Sequence, residues 1–309
     1  MKTLTLALLI ASTALAQANP GSIGGPVLGL AFDRASRSIR PLHGVPGSSI
    51  LGLSLDAEGP LVEAAAAGDY AVAIDADGTA VLVSANGRQP LPGSAKGASR
   101  VVTSPRGSAV ALYFAASATA QIYTGMPDAP QSVRTVVLDS APVELALSDD
   151  GLTLLESSRN GREGEAVYAY TAGQPSQILH RARRVSAMAF VPGTSNVLIA
   201  EGEGVRLVSP AFGVQTVDDT SLDVVAVAAS SDGARLFSAM RDGNIAIHDL
   251  RSSTAATVSC GCAPGVLARL RGNAVFRLNE VGDGPLWLLD GDSPEPRILF
   301  VAAPAGASR

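Results

Sequence analysis

Residues 223–259 read DVVAVAASSDGARLFSAMRDGNIAIHDLRSSTAATVS. Short runs rich in Val, Ala, Ile and Leu alternate with the turn sequences Ser-Asp-Gly, Asp-Gly and Arg-Ser-Ser. Short apolar runs joined by Asp-Gly turns are typical of antiparallel β-hairpins. We therefore predict four consecutive antiparallel strands, at Asp223–Ala229, Ala234–Ala239, Asn244–Asp249 and Ala255–Ser259.

The turn between the first two of these strands recurs along the chain. Its glycines are Gly107, Gly151, Gly193, Gly233 and Gly272, at intervals of 44, 42, 40 and 39 residues. A period near 41 with four strands per unit is that of a β-propeller blade. The 309-residue chain, less its first 16 residues, holds about seven such units. We predict an all-β fold consisting of a single β-propeller of four-stranded antiparallel blades, with seven blades favoured over six.

The same pattern assigns the remaining blades. They are predicted at Leu61–Leu91, Arg100–Leu138, Pro142–Leu179, Val185–Val217 and Val266–Ala302. Three strand-like runs near the N terminus, Val27–Asp33, Ser38–Leu42 and Ile50–Leu55, form most of a seventh blade or complete the terminal one. Closure matters because an open ring would leave unpaired strand edges, which are templates for aggregation. The predicted domain spans residues 22–304, and residues 305–309 are expected to be a short disordered tail.

Residues 235–250, RLFSAMRDGNIAIHDL, resemble the second and third strands of a WD-repeat blade. His248-Asp249 stands where that family usually has Trp-Asp, and the Gly-His dipeptide and Asp-His-Ser/Thr-Trp network of WD repeats are absent from the sequence. The chain is therefore similar to WD-like or YVTN-like bacterial propellers. The resemblance covers roughly residues 60–304 but is specific in one blade only. It implies the propeller fold.

The N terminus has the pattern of a secretory signal peptide. Met-Lys precedes an apolar run from Leu4 to Leu15, and Ala14-Leu15-Ala16 forms an A-x-A cleavage site. The run of about 12 residues is too short to span a bilayer as a helix, which takes about 20. We predict a cleaved signal peptide over residues 1–16, with cleavage after Ala18 as the alternative, no transmembrane segment, and a periplasmic or secreted protein. Lysine is rare and alanine abundant, as in proteins from GC-rich bacterial genomes.

The charge of the chain bears on its partners. The formal net charge is −5, whereas nucleic-acid-binding proteins usually present a basic face. We therefore expect no nucleic-acid partner. The expected partner is another envelope or extracellular protein, or a carbohydrate.

The two cysteines, Cys260 and Cys262, lie in the predicted connection between two blades. In an oxidising compartment they could form a tight disulfide, and the intervening glycine permits unusual backbone angles. Free or intermolecular thiols are one alternative, and a redox or metal role is another. A zinc site is disfavoured because no third or fourth Cys or His lies nearby in sequence.

The histidines and acidic turns suggest structural roles. We predict His248 to be a structural residue of a third strand, His43 to sit in a turn, and His180-Arg-Ala-Arg-Arg184 to form a solvated basic turn, with anion binding as its alternative. Asp75-Ala-Asp77-Gly78 and Asp149-Asp150-Gly151 lack the spaced carboxylates of a calcium loop, so hairpin turns are predicted there.

The sequence contains no G-x-S-x-G, H-E-x-x-H, phosphate-loop or dinucleotide motif. The predicted innermost strands are almost uncharged, with Glu63, Glu144 and Arg269 as the exceptions. We therefore predict no catalytic residue, cofactor or metal ligand. An exported, non-catalytic propeller that acts as a protein-interaction or ligand-binding scaffold is favoured. The alternative is an enzyme of the YVTN-like lactonase or hydrolase type, which rests on the fold alone.

Overall fold

The computed structural model describes residues 25–55, 58–159, 164–282 and 284–302. The predicted signal peptide and the predicted tail lie outside these ranges. The described residues form strands, turns and connections, and no helix among them is long and apolar enough to cross a membrane. Seven antiparallel sheets follow one another along the chain. The protein is a seven-bladed β-propeller, so the prediction of seven blades is confirmed.

Blade 1 is β1 (Val27–Asp33), β2 (Ser38–Val45) and β3 (Ser48–Leu51); blade 2 is β4 (Leu61–Ala67), β5 (Tyr70–Asp75), β6 (Ala80–Ser84) and β7 (Gly87–Pro90); blade 3 is β8 (Arg100–Thr103), β9 (Ala109–Phe114), β10 (Thr119–Thr124) and β11 (Gln131–Val137). Blade 4 is β12 (Glu144–Leu147), β13 (Thr153–Arg159), β14 (Glu165–Thr171) and β15 (Gln177–Ala182); blade 5 is β16 (Val185–Phe190), β17 (Val197–Glu201), β18 (Gly204–Ser209) and β19 (Gly213–Asp218). Blade 6 is β20 (Val224–Ala229), β21 (Arg235–Met240), β22 (Asn244–Asp249) and β23 (Thr254–Ser259); blade 7 is β24 (Ala268–Arg269), β25 (Val275–Arg277), β26 (Leu286–Asp290) and β27 (Arg297–Val301).

The hydrophobic core of the described residues consists of seven clusters, and each cluster lies between two neighbouring blades. The blades can stack in this way because both faces of their middle strands are largely buried and mostly apolar. All six residues of β9, for example, are buried. The seventh cluster, which contains Leu28, Leu42 and Leu288, joins blade 1 to blade 7 and closes the ring.

Blade 1 has three strands in the described residues, and its direction shows which strand is missing. Leu61, at the start of β4, donates from its backbone N–H to the Arg37 carbonyl just beyond the end of β1, at 2.9 Å. At the opposite end, a Cβ built on Gly29 near the start of β1 would lie 3.7 Å from the Gly68 carbonyl beyond the end of β4. Hence β1 runs antiparallel to the innermost strand β4 and corresponds to the second strand of the other blades.

Two hydrogen-bonded contacts join β1 to blade 7 where an innermost strand of blade 1 would lie. The backbone N–H of Arg271 donates to the Leu28 carbonyl at 2.7 Å, and Val281 forms a single parallel bridge with Asp33. A β-bulge between Val27 and Gly29 breaks the alternation of side chains at this point. As a result, Leu28 faces blade 7 while Leu30 faces blade 2.

Two local predictions are wrong. His43 lies in β2 rather than in a turn, because the neighbouring Pro41 fits into this strand. The Pro41 carbonyl accepts from Gly52 N–H at 2.7 Å. On the other side Pro41 lies opposite Leu30 of β1, at a position where the pairing requires no N–H from the proline. The predicted basic turn is also a strand for most of its length. His180 to Ala182 belong to the outermost strand β15, and Arg183 and Arg184 connect it to the next blade.

Candidate functional site

The innermost strands of blades 2 to 7 surround a central channel, which contains a cavity of about 380 Å³. Each of these strands contributes a small apolar residue to the cavity wall: Ala65, Val102, Ala146, Ala189, Val227 and Ala268. Blade 1 contributes Leu30. The volume lies in the range of small-molecule sites, about 300 to 1,000 Å³. The channel cavity is therefore the candidate functional site.

We call the face where the innermost strands begin the entry face. Two of the charged residues predicted in these strands, Glu63 and Glu144, lie at this end. Burial raises the pKa of Glu63, while Arg34 and Arg100 act to lower it. Burial likewise raises the pKa of Glu144, against the opposing charge of Arg100. The two glutamates flank the channel and are absent from the cavity wall described above.

The third charged exception, Arg269, lines the cavity but is occupied by structural contacts. Its guanidinium donates to the Ser231 hydroxyl at 2.8 Å, to the Asn273 carbonyl at 3.1 Å and to the Ala229 carbonyl. It also lies over the Phe276 ring, 5.2 Å from the centroid. Burial lowers its pKa to about 10. Arg269 therefore joins blade 6 to blade 7.

The opposite face, where the innermost strands end, is the exit face, and its turns are linked between blades. Asp149 accepts from the backbone N–H of Arg106 in blade 3 and from that of Gly193 in blade 5, each at 2.7 Å. The predicted turn at 149–151 is thus confirmed, but its aspartate joins three blades. Sequence spacing could not show this, because the partners are 43 and 44 residues away.

Further links continue around this rim. Asn273 accepts from Ser231 N–H at 2.7 Å through its backbone carbonyl and from Asp232 N–H at 3.0 Å through its side chain. The Tyr70 hydroxyl donates to the Gly107 carbonyl. Backbone groups held by charged or amide side chains cannot move independently, so the exit mouth of the channel is preorganised.

Three charged residues of the cavity wall were not predicted: Arg106, Arg277 and Glu280. Arg277 of β25 is 6% exposed, and its Nη1 atom donates to the Asn279 carbonyl and to Glu280 Oε2, the latter at 3.0 Å. Its Nε atom is buried and has no hydrogen-bond partner within the described ranges. The only signal in the sequence is an arginine in a short apolar strand.

His248 has the structural role predicted for it. Its Nε2 atom lies 3.2 Å from Asp218 Oδ2, at the end of β19 in the preceding blade. Asp218 is buried and also accepts from the backbone N–H groups of Thr220 and Ser221 and from both of their hydroxyls. This network orders the connection between blades 5 and 6. His180, on the outermost strand of blade 4, contacts Glu201.

Cys260 and Cys262 are bonded to each other as a disulfide in the connection between β23 and β24. The Cys260 N–H donates to the Gly243 carbonyl at 2.8 Å, and a Cβ on Gly243 would lie 2.7 Å from the carbonyl oxygens of both cysteines. Gly243 has φ +96°, so glycine is required there for both reasons. The disulfide lies at the entry face, outside the cavity wall.

Within the part of the chain that the structure describes, no three His, Cys, Asp or Glu side chains are grouped so as to hold a metal ion. The predicted turn at Asp75–Gly78 is confirmed. Asp75 Oδ1 accepts from Thr79 N–H at 2.9 Å, and Asp75 Oδ2 accepts from Arg88 at 2.8 Å.

Comparison with known proteins supports the fold. No protein-family model matches the chain, and no curated protein matches it. A protein of unknown function from Desulfotomaculum acetoxidans superposes with a TM-score of 0.61 at 13% identity, over 91% of this chain and 96% of that one. Hydrazine synthase of Kuenenia stuttgartiensis superposes with a TM-score of 0.54 at 12% identity, over 94% and 99%. At such identities the likeness shows the fold alone.

Proposed function

We propose that this chain is an exported, non-catalytic propeller that binds a small organic ligand in its channel. The observation that carries the proposal is the cavity of about 380 Å³, whose wall is mostly Ala, Val and Leu with a few polar groups at defined positions. An apolar concave site with few, fixed polar groups is the usual form of a small-molecule site.

The hydrogen-bonded rim of the exit face also supports binding. Asp149 and Asn273 hold backbone groups of the neighbouring turns in place before any ligand arrives. Because the mouth is already ordered, less conformational entropy is lost when a ligand binds, and the ligand binds more tightly.

Two features support export. The first 16 residues have the pattern of a signal peptide. The disulfide between Cys260 and Cys262 is of the kind that persists in oxidising compartments such as the periplasm.

Native mass spectrometry of the protein, purified from the envelope or medium of its own host, tests this proposal. We expect a mature chain that begins at Gln17 and a second species heavier by one small ligand. The variant Ala189→Phe, which fills part of the cavity wall, should lose the heavier species. Ala116→Phe, at an exposed turn position outside the cavity, is the control and should retain it.

Two results would count against the proposal. A chain that keeps residues 1–16 and stays in the cytoplasm would contradict export. A bound ligand that survives Ala189→Phe, with circular dichroism showing the variant folded, would place the ligand outside the channel.

A further inference from the structure

In the part of the chain that the structure describes, blade 1 leaves one strand edge open to the channel. Leu30 of β1 lies opposite Pro41 of β2, and Pro41 directs its carbonyl toward β3, where it accepts from Gly52 N–H at 2.7 Å. In two antiparallel strands, opposite residues form hydrogen-bonded and non-hydrogen-bonded pairs in alternation, and residues of a non-hydrogen-bonded pair point their backbone N–H and C=O groups away from each other. Leu30 therefore points its N–H and C=O away from β2, toward the position of the missing innermost strand.

The Leu30 backbone groups are close to the cavity but have no backbone partner within the described ranges. The residue is only 4% exposed. Buried backbone polar groups are almost always paired with protein, water or ligand. The open edge at Leu30 is therefore a place where a ligand amide could complete the hydrogen bonding.

Arg277 supplies an independent polar group to the same cavity. A guanidinium has five N–H donors, and the two contacts of Arg277 use Nη1 alone. Its Nε atom is buried and has no hydrogen-bond partner among the residues that the structure describes, and Nη2 lies beside it on the guanidinium. This pair of nitrogens forms the side of the guanidinium that binds a carboxylate through two parallel hydrogen bonds.

The open edge is short. Arg271 N–H occupies the Leu28 carbonyl at the exit end, and the Val281 bridge to Asp33 occupies the entry end. A full strand would have to displace both contacts, whereas a ligand the length of one residue would displace neither.

We infer that the gap between β1 and blade 7 binds a small acid with an amide next to its carboxylate, as in an N-acyl amino acid. This inference rests on the proposed function and names the ligand class. The Arg277 guanidinium receives the carboxylate, the Leu30 backbone pairs with the amide, and the alanine and valine wall accommodates an apolar side chain.

N-acetyl-L-leucine and its uncharged analogue N-acetyl-L-leucinamide, titrated into isotope-labelled mature protein, test the inference by NMR. We expect the acid to bind in the millimolar range with shifts at the Leu30 amide and the Arg277 Nε–H, and the leucinamide to bind at least 10-fold more weakly. Arg277→Gln should weaken the acid at least 10-fold. Arg134→Gln is the matched control, because Arg134 also has a buried Nε without a partner but lies outside the cavity. It should bind as wild type.

Equal affinity for N-acetyl-L-leucine and N-acetyl-L-leucinamide would overturn the carboxylate subsite. Unchanged binding of N-acetyl-L-leucine to a folded Arg277→Gln variant would overturn it as well. The comparison of the two ligands on wild type decides the question even where the variant does not fold. The two proposals can fail separately. If neither compound binds while the protein from its host carries a ligand that Ala189→Phe removes, this inference fails and the proposed function stands.

Discussion

Replacing Asp218 with alanine is expected to lower the free energy of unfolding at pH 7 by about 3 kcal/mol. The carboxylate is buried and accepts hydrogen bonds from Thr220 and Ser221, and His248 lies 3.2 Å away. Without it, two backbone N–H groups and the His248 ring lose their common partner in a buried connection. Urea denaturation followed by circular dichroism measures the change.

Asp219→Ala is the matched control, because the neighbouring aspartate is exposed. It should change stability by less than about 0.5 kcal/mol. A loss of the same size in both variants would show that the connection tolerates any change poorly and that the Asp218 network has no special role.

The contribution of Asp218 should also depend on pH. Burial acts to raise its pKa, but the hydrogen bonds from Ser221 and Thr220 outweigh burial and hold the pKa below the ordinary value of 3.8. A folded pKa below the unfolded one stabilises the protein above the unfolded pKa, and the contribution is lost as the pH falls below 3.8 toward the folded pKa. The difference between wild type and Asp218→Ala should therefore be complete at neutral pH and smaller near pH 3.

Replacing Phe276 with alanine is expected to cost about 3–5 kcal/mol, the largest effect we predict for a single side chain. Phe276 is fully buried between blades 6 and 7 and packs against Phe237, with ring centroids 4.9 Å apart. Its ring also lies under the guanidinium of Arg269. The truncation would leave a cavity at the blade interface and remove this cation–π contact.

Phe212→Ala tests the same change at a surface position, since Phe212 is 76% exposed. It should be close to neutral in urea denaturation. A Phe276→Ala protein that loses less than about 1 kcal/mol would mean that the blade interfaces carry little of the stability, contrary to the seven-cluster core.

The turns were predictable because their chemistry is local. In Ser230-Ser231-Asp232-Gly233 the Ser230 hydroxyl donates to Asp232 at 2.6 Å, and Gly233 has φ +68°, so the residues that form the turn are adjacent in sequence. Repetition of this turn predicted the blades and their number. His43 was misplaced because Pro41 and Gly44 also occur in turns, and only the pairing with Leu30 and Gly52 shows why they fit a strand.

The site was less predictable because its contacts join distant residues. Asp149 is linked to residues one blade away on each side, and Asp218 meets His248 across 30 residues. Arg277 and Leu30 line one cavity although they come from the last and the first blade along the chain. A repeat predicts that neighbouring blades stack. It does not show which side chains meet across the interfaces, nor that the described part of blade 1 has no innermost strand.

Amide hydrogen exchange at Leu30 and Ala31 tests most directly whether blade 1 leaves its inner edge open. Ala31 lies opposite Arg40, next to the non-hydrogen-bonded pair of Leu30 and Pro41. Because the two kinds of pair alternate, Ala31 and Arg40 form a hydrogen-bonded pair, and the Ala31 N–H is bonded to β2. In the ligand-free protein we predict that the Leu30 amide exchanges at least about 100-fold faster than the Ala31 amide, because a paired amide must open before it exchanges. Equal, strong protection of both amides would show that another strand pairs with β1, and would contradict the open edge.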